Sequence, residues 1–467
     1  MRFKIQVTIV EDDQKTTVED IITFEKGIGN VVDIGLSLSE SKQILKKLQG
    51  VIIQTQAQSF IDANHQCRTC DKDLRVKGHH TIQYRTLFGI VTINSPRYYR
   101  CPCEATSKGA FSLLKQWLPE HISPELKYIE TKWASLMSYG LTADLLKDIL
   151  PVSSTLNAAT IKNHLHDVAS RMEKDLAEKP EVYIGCGNDW AKLPKPDKPL
   201  TVGIDGGYVR NWQEKKTHFE VIAGKSFSKS KEAKRFGFVQ KYDEKPRHRL
   251  MDALQRQGMQ ANQQISFLSD GADNVRDLQY LMYPEASHIL DWFHVTMRIT
   301  VLNQFAKGVE KSDPEHGPKI TKNLESAKWN LWHGNTENAL DKLEDCYCTL
   351  ECEEIKYENC KKFLKHLEEM DTYISNNSHL IPNYGEKYRY GETITTAFVE
   401  STINEVVAKR MVKKQQMQWT HQGAHYLLQT RTAVLNGELK DHFERWYPGF
   451  KIDDEDERRA ETMMKAA

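Results

Sequence analysis

Residues 201–210 read TVGIDGGYVR and residues 265–273 read ISFLSDGAD. Each is an apolar run of strand length closed by an aspartate and a glycine, at Asp205-Gly206 and Asp270-Gly271. Runs rich in Val, Ile and aromatic residues with turn chemistry at their ends fit β-strands. A glycine directly after the acid lets backbone and ligand approach closely. Asp-Gly is also ordinary turn chemistry, and either pair alone would be read as a turn. Two such junctions in one stretch bring hard oxygen ligands to strand ends, as a site for Mg2+ or Mn2+ requires.

Working outward, LTVGIDGGYVR, HFEVIAGKSF and RFGFVQKY are three successive strand-like runs. A helical stretch at 247–259, the strand SFLSDGAD, a second helix through Leu278 and the strand SHILDWFH follow. Three antiparallel strands and then alternating helices and strands is the order of a ribonuclease H-like fold. Residues 300–376 keep helical period throughout, too long for a connection, and read as an all-helical insertion in that core. The expected fold class is α/β: an RNase H-like catalytic core with this insertion, preceded by a small zinc-binding β module and a helix-turn-helix region. The expected divisions are 1–63 (a strand pair and a helix, read as a packing or oligomerisation element), 64–123 (zinc-binding β module), 124–180 (helix-turn-helix), 195–299 (core, first part), 300–385 (helical insertion), 386–440 (core, C-terminal part) and 441–467 (charged tail). The Pro/Gly-rich stretch 180–199 marks the main boundary.

The zinc reading rests on HQCRTC and YYRCPC, which place Cys67, Cys70, Cys101 and Cys103 at the two ends of an alternating hairpin. Paired thiolates at both ends can close a tetrahedral structural zinc site; four unrelated buried thiols is the plainer alternative. Arg97, Arg100 and neighbouring bases, interleaved with Tyr84, Tyr98 and Tyr99, suit a phosphate backbone. Two helical runs, 141–151 and 156–172, flank the turn PVSST. As a helix-turn-helix they would present Lys162 and Asn163 to a major groove, and as plain packing helices they would not. A second group, Cys346, Cys348, Cys352 and Cys360, lies along helices without a knuckle turn, which argues against a further zinc site.

Composition bounds the rest. The 467 residues carry 64 Lys+Arg against 64 Asp+Glu, with 39% hydrophobic and 27% charged residues, which excludes collagen, long disorder and a membrane bundle. Neutrality here is a cancellation: residues 225–249 hold nine bases and three acids, and residues 341–371 hold ten acids and five bases. Nine cysteines are too few for a secreted disulfide scaffold. The N-terminal stretch has no apolar signal core, and no run of about 18 apolar residues occurs, so no membrane partner and a cytoplasmic location are expected.

Four segments in this order, TVGIDGGYVR (201–210), FLSDGAD (267–273), ILDWFH (289–294) and FVESTINEVVAKRMVKKQQMQW (398–419), resemble the DDE transposases of bacterial insertion sequences, the ISKra-type group in particular. The similarity runs from the cysteine pairs to RTAVLNG (431–437) and so covers most of the chain. It implies that Asp205, Asp270 and Glu400 form a catalytic triad holding two Mg2+ (or Mn2+) ions. It further implies cleavage at insertion-sequence ends and strand transfer into target DNA. Members of the group also carry a DxxH element, here Asp291 and His294, as active-site accessories; a satisfied buried histidine is the alternative for His294. Glu405 competes with Glu400, which fits the VES context better. Lys409, Arg410, Lys413 and Lys414 form a basic cluster suited to DNA phosphates, or a solvated helix face. The implied partners are terminal inverted repeats and target DNA, with a homo-oligomer to pair two ends. Two other functions stay open: a transposase-derived DNA-binding regulator without catalysis, and a metal-dependent nuclease of the same fold.

Overall fold

In the computed structural model, residues 1–10, 16–103, 109–178, 192–195, 198–228, 231–282, 286–352, 355–395, 401–412 and 417–452 are described. The chain divides into two units, Met1–Ala169 with Gly437–Ala467, and Ser170–Asn436.

In the first unit, β1 (Arg2–Val10) and β2 (Thr16–Glu25) pair antiparallel. Ser37 starts the helix Leu38–Asn64 through a capping box with Glu40, which satisfies two backbone donors at a helix end that would otherwise be orphaned. Its Ile53, Ala57 and Ile61 pack with Leu114 of the short helix Leu113–Trp117 and with Ile82, Val91 and Ile93 of an antiparallel sheet formed by β3 (Val76–Thr86), β4 (Gly89–Tyr99) and β5 (Ala110–Ser112). Three helices follow, Pro124–Leu136, Tyr139–Ile149 and Ala158–Glu178. The last is capped by Asn157, whose side-chain oxygen accepts from the amides of Ala159 and Thr160 at 3.0 and 3.1 Å. The stretch expected as a charged tail opens inside a helix, Leu439–Trp446, with Leu439, His442 and Phe443 buried; Phe443 meets Tyr128 edge-on at 5.3 Å.

The second unit is built on a five-stranded sheet of β6 (Leu200–Arg210), β7 (His218–Phe227), β8 (Lys234–Val239), β9 (Ile265–Ser269) and β10 (Ser287–Leu290), in spatial order β10-β9-β6-β7-β8. The first three strands pair antiparallel; β9 runs parallel to β6, and β10 parallel to β9. Helix Pro246–Arg256 carries Leu250 and Leu254, and helix Asp273–Met282 carries Leu278, into one apolar layer with Val202, Ile204, Phe236 and Phe267. Helix His421–Leu435 also packs against the sheet, Leu428 lying over Gly237. The central strands are apolar on both faces because both are covered, as parallel strands require.

Four long helices, Trp292–Ser312, Gly317–Trp332, Thr336–Cys352 and Cys360–Asn377, follow β10, in the stretch read from sequence as helical. They share a core of Leu302, Ala306, Ile320, Leu324, Leu343, Phe363 and Leu367, continuous with Leu268 and Ile289 of the sheet. Among the described residues no helix is long and apolar enough to cross a membrane.

Candidate functional site

Strand register brings three aspartates together. Gly203 pairs with Leu268, and Leu268 with Ile289. Asp205 stands two residues beyond Gly203, inside β6 and not at a strand end as expected from its Asp-Gly pair, while Asp270 and Asp291 are the residues directly after β9 and β10. The ladder continues that far: the Asp291 amide donates to the Ser269 carbonyl at 2.8 Å.

Each carboxylate is oriented by a local amide. Asp205 Oδ1 accepts from Gly206 at 2.7 Å, Asp270 Oδ1 from Ala272 at 3.0 Å, and Asp291 Oδ1 from Phe293 at 2.9 Å, which caps helix Trp292–Ser312. Asp291 is fully buried, while Asp205 and Asp270 are half-buried. Burial raises the Asp205 carboxyl above its ordinary range; the Gly206 amide and His294 oppose this, and the charges of Asp270 and Asp291 add to it. His294 Nε2 stands 3.7 Å from Asp291 Oδ2. Gly271 holds φ +89°, and a β-carbon there would collide with Asn377 and with Leu290 Cδ1. The Asp-Gly of this junction thus answers both a left-handed backbone and a close approach.

Glu400, Lys413 and Lys414 lie outside the described residues. Glu405 is engaged elsewhere: its Oε2 accepts from Arg235 Nε at 2.9 Å, on a π-helical turn, Asn404–Val412. Of the basic cluster, Lys409 is exposed. Arg410 corrects the expectation of a phosphate contact. It is fully buried, its Nη1 is 3.5 Å from Met417 Sδ, and its guanidinium lies 5.4 Å over the Trp419 ring. It shares an inward face with Val406, Val407 and Met411.

The four cysteines do meet. Cys67 Sγ is 3.5 Å from Cys103 Sγ, Cys70 is 3.5 Å from Cys101, and Cys103 is 3.6 Å from Cys70. A tetrahedron with zinc-sulfur bonds of about 2.3 Å has edges of about 3.8 Å, so the sulfur cluster has the size of a zinc site. A tight turn makes it: the Cys67 amide donates to the Lys72 carbonyl and the Asp71 amide to the Cys67 carbonyl, both at 2.9 Å, with Asp71 at φ +54°. The amides of Thr69 and Cys70 lower the Cys67 thiol from 9.0 to about 7, as a thiolate ligand needs, while Cys103 is raised by the sulfurs around it. Nearby, Arg97 and Arg100 are exposed, and Arg75 and Lys77 flank the Tyr99 ring at 5.9 and 5.5 Å. Lys162 and Asn163 are exposed on helix Ala158–Glu178, where His166 is half-buried and burial lowers its imidazole to about 4.

Among the described residues, two groups bring three or more ligand atoms within 4.8 Å of one another: these cysteines, and Glu173, Asp243 and His425. The aspartate row is wider than that because it spans three strands. The second group was not apparent from sequence, since its members come from segments far apart in the chain. Its ligand atoms are close enough for a metal, but the buried Arg249 stands among them. Arg249 Nη2 donates to Glu173 Oε2 at 2.9 Å, Nε donates to Asp243 Oδ2 at 2.8 Å, and Nη2 is 3.3 Å from His425 Nε2. The guanidinium supplies the positive charge that a metal would, so a metal would have to displace it. Cys346, Cys348, Cys352 and Cys360 do not form such a group: Cys346 is buried, with Sγ 3.7 Å from the Ile320 carbonyl.

No protein-family model matches the chain, and no match is found among the curated proteins compared with it.

Proposed function

We propose that the chain is a DDE-type transposase with an RNase H-like core, which cleaves phosphodiester bonds at the ends of its element and joins them to target DNA. The observation that carries this reading is the placement of three aspartates on neighbouring strands of one sheet, Asp205 two residues past the β6–β9 pairing and Asp270 and Asp291 directly after the paired strands β9 and β10. The strand order, antiparallel for the first three strands and parallel for the last two, and the helical insertion after β10 support it.

The donor set fits divalent metal. Hard carboxylates lie side by side, and the Asp205 carboxyl is raised by burial and by its acidic neighbours, a repulsion that a divalent cation relieves. Asp205, Asp270 and Asp291 would hold the ions, with Glu400 as the further ligand expected from the resemblance. Two Mg2+ ions bound there would activate the attacking water or 3'-hydroxyl and offset charge on the leaving oxygen. Gly206, Ala272 and Phe293 orient the three carboxylates through their amides, and His294 places an imidazole beside Asp291.

The cysteine cluster would hold a structural Zn2+. The exposed Arg97, Arg100, Arg75 and Lys77 around Tyr99, with Lys162 and Asn163, would contact double-stranded DNA at the terminal inverted repeats, and pairing of two ends calls for a homo-oligomer. Phosphate contacts of this kind make affinity fall steeply with salt. The test is Asp270→Ala against labelled end DNA. The variant is expected to shift that DNA as the unmodified protein does while cutting none of it; cutting by the variant would reject the assignment of Asp270.

A further inference from the structure

The helical insertion touches the carboxylate row through two tyrosine hydroxyls. Tyr373, on helix Cys360–Asn377, donates to the backbone carbonyl of Asp270 at 3.0 Å. Tyr384, the first residue of helix Tyr384–Arg389, donates at 2.7 Å to the carbonyl of Leu290, the residue before Asp291. Both carbonyls sit where β9 and β10 end, at peptides that carry the aspartates. Tyr384 is fully buried and Tyr373 half-buried. One turn beyond Tyr373, Asn377 donates back to the Tyr373 carbonyl at 2.9 Å and packs against Gly271. The Arg298 guanidinium covers the Tyr373 ring at 4.1 Å.

We propose that Tyr373 and Tyr384 are positioning residues for the carboxylate site, which makes the helical insertion part of that site. The inference rests on the proposed metal-holding role of Asp205, Asp270 and Asp291. Three neighbouring carboxylates repel one another before a cation arrives, and Asp270 and Asp291 stand just past the ends of β9 and β10. A hydroxyl on each terminal peptide fixes the plane of the peptide and so the direction of the side chain. Phenylalanine would fill the same space without that bond. Groups that orient metal ligands from the next layer typically change metal affinity by about 10–100-fold when removed.

The experiment uses the zinc-loaded full-length protein and titrates Mn2+ alone, reading free Mn2+ by electron paramagnetic resonance, with the thermal midpoint recorded for each variant. Tyr373→Phe and Tyr384→Phe are each expected to weaken Mn2+ binding about tenfold or more. Tyr357→Phe is the control, a tyrosine of the same insertion whose hydroxyl packs on Gly308, and it should bind Mn2+ as the unmodified protein does. Asp205→Asn separates the two layers of the argument. If Asp205→Asn weakens Mn2+ binding while both tyrosine variants match the unmodified protein, the positioning role is overturned and the carboxylate site stands. If Asp205→Asn leaves binding unchanged, the carboxylate reading fails and the positioning role falls with it. Equal weakening in Tyr357→Phe would show general loosening of the insertion and would also overturn the proposal.

Discussion

At the scale of single residues, Arg249 and its partners make the most exposed energetic claim. A guanidinium buried between Glu173 and Asp243 is stable only while both acids are charged. Burial alone would raise the Glu173 carboxyl, but His425 and Arg249 outweigh it and lower the carboxyl from 4.5 to about 2. A carboxyl depressed in the folded state contributes stability that is present above its unfolded value and lost as pH falls through its folded value. The contribution is therefore complete above about 4.5 and fades toward about 2. Urea midpoints measured from pH 5.5 down to 2.5 should fall less steeply in Glu173→Gln than in the unmodified protein, and parallel curves would refute the linkage. Arg249→Met leaves two acids without their cation and is expected to cost about 3–5 kcal/mol of stability, measured by the same denaturation. None of this was legible in the sequence, because residues 173, 243, 249 and 425 follow no local pattern. Asp270 was legible as the residue that closes a strand, whereas the Asp205-Gly206 pair was misread as a strand end: β6 continues through it to Arg210, with Asp205 opposite Ala223 of β7. Arg410 was misread for a reason the sequence did contain: Val406, Val407, Arg410 and Met411 recur at helical spacing, so one member of the basic run had to face inward.

At the scale of elements, the cysteine turn and the β9 junction behave as preformed devices. The CxxC turn and the CxC pair were readable because their spacing is a chemical constraint and does not depend on distant packing. Native mass spectrometry should find one zinc ion in the cysteine module. Cys70→Ser should lose that ion, and a protein that keeps its metal count after the change would contradict the site. Gly271→Ala imposes a side chain where φ is +89° and where Asn377 and Leu290 leave no room. A strained backbone of this kind costs on the order of 1–3 kcal/mol. The variant should melt earlier and bind Mn2+ more weakly, whereas a melting point equal to that of the unmodified protein would show that the loop has slack. The insertion was recognisable as helical from its period. Its contact with the site was not, since Tyr373 reaches Asp270 across 103 positions and no periodicity encodes a single hydroxyl.

At the scale of the whole molecule, the chain combines a β module with four clustered cysteines, a set of helices and a mixed sheet with aspartates on three neighbouring strands or directly after them. The overall neutrality of 64 basic and 64 acidic residues conceals this division of labour. Basic side chains stand exposed around Tyr99, whereas Asp205, Asp270 and Asp291 are partly or fully withdrawn from water. Strand order could be anticipated because each apolar run is short and bounded by turn residues. The place of Asp291 in the row was suggested only by resemblance to transposases, and its register with Asp205 and Asp270 depends on the sheet. The most direct measurement incubates the purified protein with labelled DNA carrying the flanking ends of its element, in Mg2+ and in EDTA, beside Asp205→Ala. The account predicts nicking at the element boundary that requires Mg2+ and is absent from Asp205→Ala. Nicking that survives in Asp205→Ala, or binding of the ends without cleavage under any divalent metal, would contradict it.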